Sequence, residues 1–211
     1  MSNRAYLFAG AIGLLGYVLY AHFFGFHKYP AGTIIRGEPL QGDDDDSRQW
    51  TIRGFTVQSM ATYDIRCRVI LKDEYSTQSV AKLSPLDFTV TWGTDSDQTY
   101  VDKVRWSHSD RYASFNWDPD FPLTTDYFMS HVANMHLIPR DDDVAGQLQA
   151  VRMGSFIEMK GYLVRVLFPD GTSWKSSMSR TDVGDGACEL MLVNSVAPIP
   201  DADLSVETPR R

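Results

Sequence analysis

The chain has 211 residues, of which 43% are hydrophobic, and a formal net charge of -7. This apolar content is enough for a packed core and excludes a wholly disordered chain. Two aspartate runs, 43–46 and 141–143, hold seven of the 27 acidic residues, so the acidity is local and polyanions are poor candidates for its ligands.

The first predicted element is a membrane helix at residues 5–27. This stretch contains no Asp, Glu, Lys or Arg, and 17 of its 23 residues are apolar. About 20 apolar residues in a helix can cross a bilayer. The stretch is longer than a typical signal sequence and ends in bulky residues instead of a small-residue cleavage site. We therefore interpret residues 1–27 as a short N-terminus with an uncleaved anchor.

The anchor defines the expected location and partners. The few flanking Lys and Arg residues give no bias in orientation, but the short N-terminus is typical of a domain held outside the cytoplasm. We expect a single-pass protein of the bacterial inner membrane, in contact with the bilayer and with another membrane or envelope protein. Ala9, Gly13 and Gly16 permit close packing with a second copy of the helix.

Residues 28–49 are predicted to be a linker with a short strand at 33–36, because Pro and Gly punctuate them. A β-rich domain then spans residues 50–197. Its first strand or hairpin, at 55–71, alternates apolar and polar side chains and places Cys67 on the apolar face. The same alternation predicts strands at 86–92 and 111–117.

Two helices are predicted next. The first covers residues 124–135, since Phe128, Val132 and Met135 recur with helical spacing after a threonine cap. The second covers residues 144–151 and follows the aspartate run 141–143. An acidic first turn complements the positive end of the helix dipole, so this run has a structural explanation that competes with a metal site.

The last third predicts two strands joined by a tight turn, a further strand at 188–196, and a disordered tail at 198–211. The apolar phase changes at Gly161, which indicates a β-bulge there. We expect an α+β, mainly antiparallel domain with an OB-like barrel element near residues 144–196. This stretch resembles the opening of an OB-type barrel.

A broader resemblance rests on three stretches, which are residues 83–87, 131–139 and 180–189. They resemble bacterial proteins of uncharacterised function that have one N-terminal membrane helix. That resemblance implies the anchored, β-rich architecture and brings no activity, cofactor or catalytic residue with it.

The sequence carries no nucleotide-binding, hydrolase-elbow or zinc-binding motif, and we expect no cofactor. Its best catalytic candidates are His131, Asn134 and His136, with His108 or an aspartate as a possible further ligand. On a regular helix His131 and His136 point about 140° apart, and Asn134 and His136 share a face only if the chain is extended. The alternative is that these side chains only brace the turn before Pro139.

Two further sets of residues are candidates for other roles. Cys67 and Cys188 are either buried free thiols or a disulfide, which would need an oxidising compartment. The parity of Cys188 with Leu190 and Leu192 favours burial, and buried thiols are unreactive.

A binding face is predicted from basic and aromatic residues of the last third. It comprises Tyr162, Arg165, Trp174, Lys175 and Arg180. Nucleic acid is not the ligand we expect for it.

Without a catalytic signature, the sequence favours a membrane-anchored binding or assembly module over an enzyme. The alternative is a membrane-tethered hydrolase or metal-dependent enzyme that uses His131, Asn134 and His136.

Overall fold

The computed structural model describes residues 25–44, 46–182, 184 and 186–207. This part of the chain is a β-rich, mainly antiparallel domain with few helices, which confirms the predicted class. Within the same residues no helix is long and apolar enough to cross a membrane. The predicted membrane helix at 5–27 lies outside the described residues except for 25–27, which are not helical.

The strands of the described part are β1 (Thr33–Ile34), β2 (Leu40–Asp43), β3 (Gln49–Ile52), β4 (Phe55–Glu74), β5 (Leu86–Thr91), β6 (Val104–Ser109), β7 (Tyr112–Trp117), β8 (Val132–Pro139), β9 (Phe156–Leu167), β10 (Ser173–Lys175), β11 (Glu189–Pro198) and β12 (Ser205–Val206). Its α-helices are α1 (Gln98–Val101), α2 (Thr125–Ser130) and α3 (Asp142–Ala150). Short 3-10 turns cover Thr94–Ser96 and Asp201–Asp203.

Five of these strands close into a ring. Around the ring the order is β4, β5, β8, β11 and β9, and β9 pairs again with β4. Counted along the chain as one to five, the ring order is therefore 1-2-3-5-4. Only β8 and β11 run parallel among these pairs. Helix α3 connects the third and fourth strands of the ring.

The ring has a buried interior and a second apolar cluster on another face. The interior contains alternate residues of the strands, including the predicted Cys67, together with Phe88, Met135 and Met191. The second cluster includes Val164 and Leu190, with Trp174 packed against it. Because β9 and β11 are buried on both faces, their apolar residues do not follow simple alternation.

The predicted bulge at Gly161 is wrong, because β9 runs without interruption through this residue. The register shifts lie on its partners, between Ser59 and Ala61 on β4 and between Val193 and Ser195 on β11. Gly161 has another role: a Cβ added there would lie 1.9 Å from the carbonyl oxygen of Leu192. The glycine therefore allows β11 to approach β9 closely.

The predicted helix at 124–135 is correct only in its first half. Thr124 caps α2 by accepting a hydrogen bond from the Tyr127 amide, and the helix ends at Ser130. Val132 then begins β8, which pairs with β5 and β11. The helical spacing of Phe128, Val132 and Met135 is thus a coincidence that strand pairing overrides.

Helix α3 confirms the structural explanation of the second aspartate run. Asp141 is its N-cap and accepts a 2.9 Å hydrogen bond from the Val144 amide. Asp142 and Asp143 occupy the first turn, where negative charge complements the helix dipole.

The segments expected to be a linker and a tail both pack on the domain. Within 28–49, Ile34 and Ile35 are buried and β2 pairs with β4. Within 198–207, β12 pairs with β1. Residues 208–211 lie outside the described part of the chain.

Candidate functional site

A cleft of about 160 Å³ opens beside the start of β11. Its walls come from β7, α2, β8 and the 179–187 loop, and Cys188 and Glu189 line it at the first residues of β11. In the parallel register, Glu189 lies opposite Met135 and Leu190 lies opposite His136. This register places Cys188 beside Asn134, with both side chains at the cleft.

Cys188 is half-buried and held from two directions. The Asn134 side chain donates a 3.2 Å hydrogen bond from Nδ2 to Cys188 Sγ. The Cys188 carbonyl accepts a 2.9 Å hydrogen bond from the Ser177 amide. The sequence predicted a buried thiol, whereas the thiol is only half-buried. The glycine-rich loop before Cys188 leaves one side of it open to the cleft.

His136 lies directly behind Cys188 and is only 6% exposed. Its imidazole interacts electrostatically with Cys188, and its Nδ1 atom lies 3.0 Å from Asp87 Oδ2. Neither of these two atoms has a hydrogen-bond partner among the described residues, so the contact with Asp87 is chiefly electrostatic. The Trp174 ring packs against the imidazole at 5.0 Å between centroids.

The surroundings of His136 favour its protonated form. Burial lowers the pKa of the imidazole, but the contacts with Asp87 and Cys188 and their negative charges outweigh it and raise the pKa to about 9. An opposite charge at this distance stabilises a buried cation. At neutral pH, His136 is thus an imidazolium between a carboxylate and a thiol.

Asp87 is fully buried on β5, opposite His136 on β8. Its Oδ1 atom accepts a 2.9 Å hydrogen bond from Arg111 Nη1. Arg111 also donates to the Ser84 carbonyl at 2.9 Å and lies 4.0 Å above the Tyr75 ring. The buried carboxylate therefore has a cation on each side, which compensates its desolvation.

A second polar branch starts at Asn134. Its Oδ1 atom lies 3.0 Å from His108 Nε2, which also lies 2.6 Å from Thr89 Oγ1. The other ring nitrogen, His108 Nδ1, lies 2.9 Å from Asp73 Oδ2. Asn134 Nδ2 also donates to the Arg111 carbonyl at 2.7 Å, so the amide is fixed in one orientation toward the thiol.

Glu189 lines the cleft from the other face of β11. It is 5% exposed, and its Oε2 atom has no hydrogen-bond partner among the described residues. Burial raises the pKa of this carboxyl to about 8. At neutral pH it is therefore mainly a neutral acid that can donate a hydrogen bond.

The sequence-predicted catalytic residues separate into two places. Asn134 and His136 share the outer face of β8, because the chain is extended there. His131 precedes β8, and its Nε2 atom lies 3.1 Å from Glu38 Oε1, with Trp92 and Tyr127 against its ring. The structure thus does not join His131 to the other two.

The predicted binding face does not form a single surface. Tyr162 and Trp174 pack on the second apolar cluster. Arg165 and Lys175 pair across β9 and β10 and are exposed. They alternate along their strands with Tyr162 and Trp174 and therefore lie on the opposite face of the sheet. Arg180 lines the cleft and lies 3.1 Å from Glu38.

The two cysteines are free thiols, which is the first of the two alternatives that the sequence left open, and the disulfide is not formed. Cys67 is in the ring interior, where burial strongly raises the pKa of its thiol. Cys188 is on the outer face of the ring. No group of three or more His, Cys, Asp or Glu in residues 25–44, 46–182, 184 and 186–207 is placed to hold a metal ion.

Sequence reasoning missed Asp87 and Arg111. Asp87 is one of the polar residues that alternate with the apolar residues of β5, so the sequence pattern gave no sign that it is buried. Arg111 stands at the start of β7 with φ at 69°, and nothing in its local sequence indicates a buried partner.

No known protein family, curated protein or solved structure matches this chain.

Proposed function

We propose that the chain is a membrane-anchored binding module with an OB-type barrel and that the cleft beside Cys188 is its ligand site. The observation that carries this proposal is the ring order 1-2-3-5-4 with a helix between its third and fourth strands. A closed five-stranded Greek-key ring is the arrangement of OB barrels. The barrel thus extends from β4 to β11, well beyond residues 144–196.

The position of the cleft supports a binding role. OB barrels bind ligands on the face of the second and third strands and with the loops after the first and fourth strands. Here the cleft uses the third strand, β8, and the loop between β9 and β11. This is an argument from fold-level analogy, and the partly unpartnered Glu189 in the cleft adds an independent polar group that a ligand would satisfy.

The anchor is attached to the barrel without a flexible spacer. The His27 amide donates a 2.8 Å hydrogen bond to the Met153 carbonyl, and Arg152 donates to the Gly25 carbonyl at 3.3 Å. Tyr29 packs on Phe156 at 4.8 Å between ring centroids. With the predicted anchor before Gly25 in the inner membrane, the barrel is held against the bilayer surface, where another envelope protein can reach the cleft.

Topology is tested with the full chain and two C-terminal reporters. We expect a reporter that requires the extracytoplasmic compartment to be active when fused after Arg211, and a reporter that requires the cytoplasm to be inactive. The opposite pattern would contradict the proposed location. Recovery of the full chain in the soluble fraction after alkaline extraction would contradict the anchor.

Ligand binding is tested by site-specific photocrosslinking in intact membranes. A photoreactive amino acid replaces Tyr112, which lines the cleft and is 48% exposed. The matched control position is Asp170 in the exposed β9–β10 turn. We expect a discrete adduct with a second envelope protein only from position 112. Equal adducts from both positions, or none from either, would refute the cleft as the binding site.

The alternative enzyme with His131, Asn134 and His136 as one set has no geometric support, because His131 contacts a different group of residues. Self-association through Ala9, Gly13 and Gly16 remains a proposal about residues outside the described part of the chain.

A further inference from the structure

We infer that Cys188 is a nucleophile that attacks an ester or amide carbonyl in the cleft, with His136 as its acid–base partner and Asp87 as a positioning residue. The inference rests on the proposed function in one respect, since the cleft must hold the carbonyl compound. It adds a chemical activity at the same site.

The order of the groups from the cleft inward along the outer face of the ring supports this role. Cys188 faces the cleft, His136 lies behind it, and Asp87 lies behind His136. An activated thiol requires a base within hydrogen-bonding reach, and the base requires a third group that orients it. Asp87 is in β5, His136 is in β8 and Cys188 directly precedes β11, so strand pairing fixes their relative positions.

A cation and a hydrogen-bond donor lie beside the sulfur. The charge of Asp87 keeps His136 protonated at neutral pH, and the resulting imidazolium is adjacent to Cys188. Asn134 Nδ2 donates to the sulfur as well. A neighbouring cation and a hydrogen-bond donor both stabilise the reactive anion of a thiol.

Asn134 has a second use once the carbonyl is attacked. Its Nδ2 atom, 3.2 Å from Cys188 Sγ, is a side-chain donor beside the carbon that the sulfur attacks. A fixed amide N–H can stabilise the negative charge that develops on the carbonyl oxygen. The contacts of Asn134 with His108 and the Arg111 carbonyl hold it in place for this role.

Glu189 is the independent indication that a ligand occupies the cleft. A buried polar atom without a partner is costly and is therefore rare in folded proteins. Its neutral carboxyl can donate to a carbonyl or leaving-group oxygen. The apolar side of the cleft includes Phe115, Met129 and Val132, so a small acyl group with apolar character fits best.

The reaction balances with water as the second substrate. The Cys188 thiolate, paired with the His136 imidazolium, forms a bond to the carbonyl carbon as the carbonyl electron pair moves to oxygen. When the carbonyl reforms, the bond to the alcohol or amine breaks and the His136 imidazolium donates its proton to that leaving group. The neutral His136 then takes a proton from water, the hydroxide cleaves the thioester, and the carboxylic acid is released with the thiolate–imidazolium pair restored.

The test uses the full chain in detergent with p-nitrophenyl acetate as the probe. Peptide mapping by mass spectrometry locates the acetyl group, and nitrophenolate release gives the rate. We expect acetylation at Cys188 and none at Cys67, the buried internal control. His136→Gln should slow acetylation by at least roughly 100-fold, whereas the matched control His131→Gln should leave the rate unchanged.

The outcomes that would overturn the inference are equally specific. They are acetylation of Cys188 no faster than that of free cysteine at the same pH, or a His136→Gln variant that folds by circular dichroism and retains the wild-type rate. Asp87→Asn should move the alkaline limb of the pH–rate profile to lower pH, because the imidazolium loses its anionic partner. A merely structural role for Asp87 would lower the rate without moving the profile.

Failure of this inference is distinguishable from failure of the proposed function. Cys188→Ala removes the nucleophile but leaves the other walls of the cleft. With the photoreactive residue at position 112, this variant should still form the envelope-protein adduct. An adduct without acetylation in the wild type refutes only the nucleophile, and loss of the adduct in both proteins refutes the binding site.

Discussion

Arg68 is predicted to be the residue whose loss separates the anchor segment from the barrel. It is fully buried on β4, although it follows the exposed Arg66 in the same strand. Its guanidinium donates to the carbonyls of Gly154 at 3.0 Å, Ser96 at 2.8 Å and His27 at 3.1 Å. It also donates to the Gln98 side chain. The residue thus connects His27, at the end of the predicted membrane segment, to Gly154, Ser96 and Gln98 of the domain.

The magnitude of the effect of Arg68→Met follows from these contacts. Four hydrogen bonds at a net contribution of about 1 kcal/mol each give about 4 kcal/mol. The guanidinium also lies over three aromatic rings, those of Phe26, Tyr29 and Phe156. Methionine fills much of the volume, so the loss reflects the polar contacts.

The assay is thermal unfolding of the full chain in detergent, followed by circular dichroism. For a domain of this size, about 4 kcal/mol corresponds to a decrease in Tm of about 8–16 °C. Arg66→Met is the matched control on the same strand and should change stability by less than about 0.5 kcal/mol. Equal effects of the two substitutions would refute the assignment of Arg68 as the structural link.

Two further predictions concern stability. Between pH 4.5 and about 8 the folded Glu189 carboxyl retains a proton that the unfolded chain has released, so stability falls as pH rises through this window. Measured against pH, the free energy of unfolding should lose this part of its slope in the Glu189→Gln variant. The part contributed by Asp95, whose pKa is raised by burial to about 8, should remain. An unchanged slope in the variant would contradict the assignment. Gly161→Ala should destabilise the folded domain by more than about 3 kcal/mol, because the added Cβ would meet the Leu192 carbonyl. The control is Gly146→Ala in α3, where the space around the Cβ is open, and it should stabilise the domain by about 0.5–1 kcal/mol. Similar denaturation midpoints for the two variants would contradict the close approach of β11 to β9.

The elements that the sequence predicted best are those in which one physical signal dominates. The long alternation at 55–71 predicted β4 because one of its faces is buried in the ring. The aspartate run 141–143 predicted the start of α3 because the interaction of acidic residues with the helix dipole is local. In contrast, the helical spacing around Val132 was misleading, since the pairing of β8 with two neighbours outweighs a local preference.

The candidate site was only partly predictable, because strand pairing creates it. Asn134 and His136 were identified from their types and spacing. Their partners Cys188 and Asp87 lie far away along the chain, and local parity suggested that Cys188 is inert. The parallel pairing of β8 with β11 and the antiparallel pairing of β8 with β5 bring these four residues together, and no short sequence pattern encodes both pairings.

The central claim is that Cys188, His136 and Asp87 form one electrostatic unit at the cleft. The most direct measurement is the NMR titration of the His136 ring nitrogens in the full chain, compared with the Cys188→Ala variant. We expect His136 to titrate near pH 9 in the wild type and at lower pH in the variant, because the negative charge of Cys188 is lost. A titration at or below the ordinary histidine value of about 6.5, unchanged by Cys188→Ala, would contradict the account.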